Sequence, residues 1–263
     1  MPWADLPPGS LFDSHLHLDL LSRRLGAGHA SLRHLVARDP AVPWRAFGGC
    51  VANFVRPADW QAGLGPGLRA AAEEERVHLA VSGGVVHSDA HHLPQVGCHP
   101  HWAAGCDSVS LAGLEEAARE LGHRLVAIGE CGLDYSKKNY VPPQLQIRVF
   151  REQVPPANTT LTPCRQVELA LRLHLPLVLH IRDAEEEGLE VLRAAGLPPH
   201  WPVHRHCFTG DWSAAAAWLA LFPGSRLGVT AAVTNPDRRA VHDWVRQVGC
   251  PIRRVALGPG LCH

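Results

Sequence analysis

The chain has 263 residues, enough for one large α/β barrel or two small domains around a substantial core. Its 25 basic and 25 acidic residues cancel, and charged residues make up only 19% of the chain. No global basic field therefore advertises nucleic acid, although metal ions and a few local arginines can hold a phosphate without one. The chain contains no apolar run of the roughly 18 residues that a membrane span requires. The opening Met1-Pro2-Trp3-Ala4-Asp5 lacks the basic-then-apolar pattern of a signal peptide. The eight cysteines form no CxxC pair, which predicts reduced thiols. Together these features predict a soluble intracellular protein, cytoplasmic or nuclear.

In chain order, apolar runs predict strands over 11–17, 48–54, 77–81 continuing near 96–99, 124–130, 175–181, 202–206, 226–231 and 252–257. Amphipathic stretches over 111–122, 143–153, 165–174, 184–195, 211–221 and 237–248 predict the intervening helices. Apolar strands alternating with helices indicate a parallel sheet, and this many in one chain predict a TIM-like (β/α)8 barrel. Two segments break the rhythm and read as inserted loops, about 82–95 and 154–166. Prolines 155, 156 and 163 forbid a helix through the second, and its excision would join two halves of one amphipathic register. The reading is a single domain over 1–263 with two inserts.

Metal-donor side chains follow several of the predicted strands. His15 and His17 stand two apart on the first, so both face one side. A lone HxH is weak in a chain with 18 histidines, and the pattern recurs at 99/101 and 204/206. Glu130 ends the apolar run Leu125-Val126-Ala127-Ile128-Gly129, where a carboxylate is costly unless paired or coordinating. His180 follows Pro176-Leu177-Val178-Leu179 in the same way, and His206 has His204 as a competitor two residues earlier. Active sites of such barrels lie at the C-terminal strand ends, where these residues fall.

Five motifs in this order resemble the TatD family of metal-dependent nucleases, within the amidohydrolase superfamily. They are Asp13-Ser14-His15-Leu16-His17-Leu18-Asp19, Gly97-Cys98-His99-Pro100-His101, Gly129-Glu130-Cys131-Gly132-Leu133-Asp134-Tyr135, Leu179-His180-Ile181-Arg182-Asp183 and His204-Arg205-His206-Cys207-Phe208-Thr209-Gly210. The resemblance implies two divalent cations (Mg, Mn or Zn), the first on His15 and His17, the second on His180 and His206, with Glu130 bridging them. It also implies that His99 and Arg182 lie near the scissile phosphate of a DNA or RNA substrate, cleaved from an end. Members of that family carry Glu-Thr-Asp after the last strand, the Asp serving as ligand and general base. Here Gly258-Pro259-Gly260 stands in its place, which predicts impaired activity and a barrel lacking its closing helices.

Two other readings stay open at this point: an amidohydrolase-type esterase or lactonase, and an inactive protein that binds metal or nucleic acid without turnover. The eight tryptophans are dispersed, which favours core packing over a base-stacking platform. Glu185-Glu186-Glu187 reads as a solvated first helical turn favoured by the helix dipole.

Overall fold

The computed structural model describes residues 11–18, 20–21, 47–73, 76–78, 89–151, 166–247 and 255–257. Nine strands form one sheet: β1 Leu11–Leu16, β2 Phe47–Phe54, β3 Arg76–His78, β4 Asp89–Val96, β5 Ala127–Asp134, β6 Leu177–Arg182, β7 Val203–Arg205, β8 Arg226–Val229 and β9 Val255–Leu257. Seven described helices accompany them: α1 Pro66–Glu73, α2 Ser108–Leu121, α3 Pro143–Arg151, α4 Gln166–Leu173, α5 Glu185–Ala194, α6 Trp212–Leu221 and α7 Arg239–Gln247.

The strand order is β1-β2-β4-β5-β6-β7-β8-β9, with β3 on the side of β4. Every pairing along that path is parallel. The sheet curls until Cα atoms of β9 and β1 come within 8 Å, which is a TIM-like barrel. Continuous burial along β5 reflects cover on both faces, as a parallel sheet requires. One apolar cluster joins the strands to Leu111 and Leu114 of α2, Val167 and Leu169 of α4, Val191 of α5, Trp218 of α6 and Trp244 of α7.

Two helices start on sequence-encoded caps. The Asp107 carboxylate accepts from the Ser110 backbone N–H at the head of α2, and Asp211 does the same for Ala214 at α6.

The region around the first predicted insert differs from expectation. A strand runs Asp89–Val96, not 77–81 continuing to 96–99, and short β3 pairs antiparallel with it. The run Asp89-Ala90-His91-His92-Leu93-Pro94-Gln95 is too polar to read as a strand, yet its backbone fills the place between β2 and β5. Residues 79–88 lie outside the described residues, as do 152–165 of the second insert. Gln166, where the predicted insert 154–166 overlaps the predicted helix 165–174, opens α4. Its side chain accepts from Cys98 N at 2.6 Å and donates to Cys98 O at 3.3 Å, tying α4 to the loop after β4.

Among the described residues, no helix is long and apolar enough to cross a membrane. Cys50, Cys98, Cys106 and Cys131 are free, whereas Cys207 is disulfide-bonded. That corrects the expectation of uniformly reduced thiols, since separation along the chain does not report proximity in space.

Candidate metal centre

Glu130 sits within β5, not at the strand end that the apolar run 125–129 suggests. The ladder to β6 pairs Gly129 with Val178 and then Cys131 with Leu179, so Glu130 is an extra residue on its strand. A bulge of this kind re-aims a side chain. Downstream, Gly132 lies opposite His180 with φ 141°, and a Cβ there would stand 2.1 Å from the His180 carbonyl oxygen. Only glycine permits that approach.

The re-aimed carboxylate is 1% exposed and divides its two oxygens between two pairs of histidines. Oε1 lies 2.9 Å from His15 Nε2 and 3.0 Å from His17 Nε2. Oε2 lies 2.8 Å from His206 Nε2 and 3.3 Å from His180 Nδ1. His180 Nδ1 and His206 Nε2 are themselves 3.1 Å apart, and the His15 and His206 rings stack at 3.9 Å. These five residues come from β1 and the residue just past its end, β5, β6 and the turn after β7. Parallel strands side by side, each ending at the same rim, place them together.

His99 joins the cluster from the loop after β4. Its Nδ1 accepts from the His101 backbone N–H at 3.1 Å, so the ring proton resides on Nε2. That Nε2 lies 3.1 Å from His180 Nδ1 and 3.8 Å from Glu130 Oε2. Neutral His99 therefore presents a donor to the site. His180 is oriented the other way: its Nε2 faces Asp134 Oδ2 at 2.9 Å, which leaves the Nδ1 lone pair pointing inward. The same Asp134 oxygen also takes His101 Nε2 at 2.9 Å.

Burial lowers the pKa values of His15, His99 and His206, keeping their rings neutral. His204 is pushed down to about 3 by burial, with the nearby His15 adding to it. Burial alone would raise the Glu130 carboxyl. The surrounding His206, His15 and His17 outweigh it and hold the group well below the usual carboxylate range. Asp134 is likewise lowered, its bonds to His101, His180 and Ser136 overcoming desolvation.

Neutral imidazoles around an ionised carboxylate are a fitting donor set for a divalent cation. Two triads have donor atoms within 4.8 Å of one another: His15, His17 and Glu130, and His99, Glu130 and His180. His15 Nδ1 is buried with no hydrogen-bond partner among the described residues.

Arg182 ends β6, and its Nη2 donates to Cys207 Sγ at 3.6 Å. Gly258, Pro259 and Gly260 lie outside the described residues.

Several contributors escaped the sequence reading. Asp134 lies in the Gly129–Tyr135 motif, which by itself assigns it no role. Arg205 is 1% exposed; it donates to the carbonyls of His206 (2.8 Å) and Ile181, and pairs with Glu185 Oε1 at 2.7 Å. The other Glu185 oxygen accepts from Trp218 Nε1 at 2.6 Å, and Glu187 accepts from Tyr135 OH at 2.5 Å. Those glutamates occupy the first turn of α5 as expected, but two of the three face inward partners rather than solvent.

The family described as TatD related DNase matches residues 12–254. The chain belongs to this family. The human 3'-5' RNA nuclease TATDN2 is 30% identical over 260 residues, covering 98% of this chain and 29% of that protein. The 3'-5' ssDNA/RNA exonuclease TatD of Erwinia billingiae is 36% identical over 146 residues, 56% of this chain and 48% of that one. The chain thus spans from under a third to about half the length of these relatives. Among solved structures, the TatD homologue YJJV of Escherichia coli aligns with TM-score 0.63 at 21% identity, over 95% of this chain and 78% of that one. A TatD family hydrolase of Entamoeba histolytica aligns with TM-score 0.67 at 16% identity, over 97% and 74% respectively. Both likenesses bear on the fold alone.

Proposed function

We propose that this chain is a phosphodiesterase of the nuclease type, hydrolysing DNA or RNA from an end around two divalent cations. The division of the Glu130 oxygens between His15/His17 and His180/His206 carries the reading. One carboxylate touching two separate histidine pairs is what a bridge between two cations demands. His15, His17 and Glu130 Oε1 would hold one cation; His180, His206 and Glu130 Oε2 would hold the other. When bound, such a pair supplies an activated water and neutralises charge on the attacked phosphate and the leaving oxygen.

The chain's own residues prepare the site in three ways. Burial keeps the lone pairs of His15 and His206 available, since a protonated ring cannot ligate. Asp134 fixes the His180 ring with Nδ1 inward. His99, with its proton on Nε2, offers a hydrogen bond to a phosphate oxygen rather than a ligand lone pair, in keeping with the role that the family resemblance implies. Arg182, two residues beyond His180 at the end of β6, adds a cation at the rim.

The relatives' names support the substrate class: TATDN2 is a 3'-5' RNA nuclease and the Erwinia protein a 3'-5' ssDNA/RNA exonuclease. The test is nucleotide release from 5'-labelled single-stranded DNA and RNA in manganese, magnesium, zinc or chelator. Metal-dependent release that His180→Ala abolishes is expected. No release by the folded chain, with hydrolysis of a simple lactone or carboxylic ester instead, would replace the reading with an esterase.

A further inference from the structure

Two loops at the C-terminal strand ends carry aromatic rings that the core does not use. The short 3-10 turn Pro100–Gly105 after β4 bears Trp102, 47% exposed, and the loop after β5 bears Tyr140, 93% exposed. Trp60, Trp218 and Trp244 are fully buried, so the expectation that tryptophans serve the core holds for those three and fails for Trp102.

A single exposed aromatic residue is ordinary. These two share an anchor. Trp102 follows His101, whose Nε2 bonds the Asp134 carboxylate, and its own backbone N–H donates to His99 O at 2.8 Å. Tyr140 follows Asn139, whose Nδ2 donates to the Asp134 carbonyl at 3.0 Å and whose Oδ1 accepts from Val141 N at 3.0 Å. Each ring therefore stands one residue from a group bonded to Asp134, which in turn holds His180. The loop is pinned further by Gln146, whose amide donates to both Asp134 O and Val141 O. Exposed Lys137 and Lys138 lie in the same loop, and the stretch 135–142 contains no acidic residue.

We propose that Trp102 and Tyr140, with Lys137 and Lys138, form a rim on which single-stranded nucleic acid lies as it enters the site. This rests on the phosphodiesterase reading above. Ring faces open to solvent can stack only on bases that are themselves unstacked, which selects a single strand over a duplex. The lysines meet the backbone phosphates between those bases.

Fluorescence anisotropy of labelled 12-nucleotide DNA and RNA, in chelator so that no turnover intervenes, tests the rim. The wild type is expected to bind the single strands more tightly than the corresponding duplex. Trp102→Ala and Tyr140→Ala should each weaken binding about 5- to 100-fold, the usual worth of a stacked base. Trp102→Phe should retain most of the affinity. The double change Lys137→Ala/Lys138→Ala should flatten the salt dependence. Leu173→Ala, exposed at the opposite end of the barrel, is the control and should bind as wild type.

Absence of single-strand binding by the wild type would overturn the proposal, as would affinities of both aromatic variants within about twofold of wild type. Nucleotide release in manganese is read separately. Ring-dependent binding without release keeps the rim and overturns the phosphodiesterase reading. Release with ring-independent binding does the reverse.

Discussion

The Asp134 carboxylate braces the outer side of the His180 ring, with Oδ2 at 2.9 Å from Nε2. A carboxylate behind a ligating histidine fixes its tautomer and raises its basicity, and removing one typically costs about 10- to 100-fold in metal affinity. The backbone of Asp134 is held independently, its N–H by Gln146 Oε1 at 2.7 Å and its carbonyl by Gln146 Nε2 at 3.0 Å. Asp134→Ala should therefore fold while binding manganese about 10- to 100-fold more weakly at the His180 site. Calorimetric titration measures this, and an unchanged affinity would remove Asp134 from the site's support.

Arg205 ties the end of β6 to the turn after β7 through the carbonyls of Ile181 and His206, so it fixes how His180 and His206 face each other. Arg205→Met would leave Glu185 without its cation in a largely buried setting. Breaking such a pair costs about 3–5 kcal/mol, and the low end applies because the Glu185 side chain is 25% exposed. Arg205→Lys keeps the charge but cannot reach three acceptors at once, and should fall between the two. Urea unfolding checks both; a loss of less than about 1 kcal/mol for the Met variant would contradict the account.

Much of this was legible in the chain. The order His15/His17, Glu130, His180, His206 on successive apolar runs picks out side chains that the structure brings together, because parallel strands put their ends on one rim. Asp134 and Arg205 stayed hidden because their meaning depends on partners across the sheet. No local pattern reports that Asp134 meets His180, or that Arg205, between two histidines, turns away from them towards Glu185. β4 was missed for a different reason. Its residues Asp89, His91, His92 and Pro94 are poor strand formers, and the neighbouring strands rather than local propensity decide its conformation. Glu130 stands out in the sequence but its bulge does not, since apolar runs carry no signal of ladder register.

The α2 cap carries a pH signature away from the metal centre. Hydrogen bonds from the Ser110 backbone N–H and hydroxyl lower the Asp107 pKa below its ordinary value of 3.8. A carboxyl lowered on folding contributes stability that is full above its unfolded pKa and is lost as pH falls through the folded value. Asp107→Asn keeps an acceptor at the cap but does not titrate. The advantage of wild type over this variant, followed by melting temperature from about pH 6 to about pH 3, should therefore shrink at the acid end. A constant difference would contradict the assignment.

The family resemblance places a carboxylate general base where this chain has Gly258-Pro259-Gly260. Replacing those three residues with Glu-Thr-Asp should raise manganese-dependent nucleotide release, by up to the roughly 10²–10⁴-fold that a positioned base contributes. Equal rates for the two proteins would show that a carboxylate at that position is dispensable.

The central claim is that Glu130 joins two cation sites, and counting bound metal tests it most directly. Equilibrium dialysis against manganese followed by elemental analysis should find two ions per chain in the wild type. His15→Ala and His180→Ala should each retain one, and Glu130→Gln should weaken both. A single ion in the wild type, or two ions retained by His180→Ala, would contradict the bridged pair.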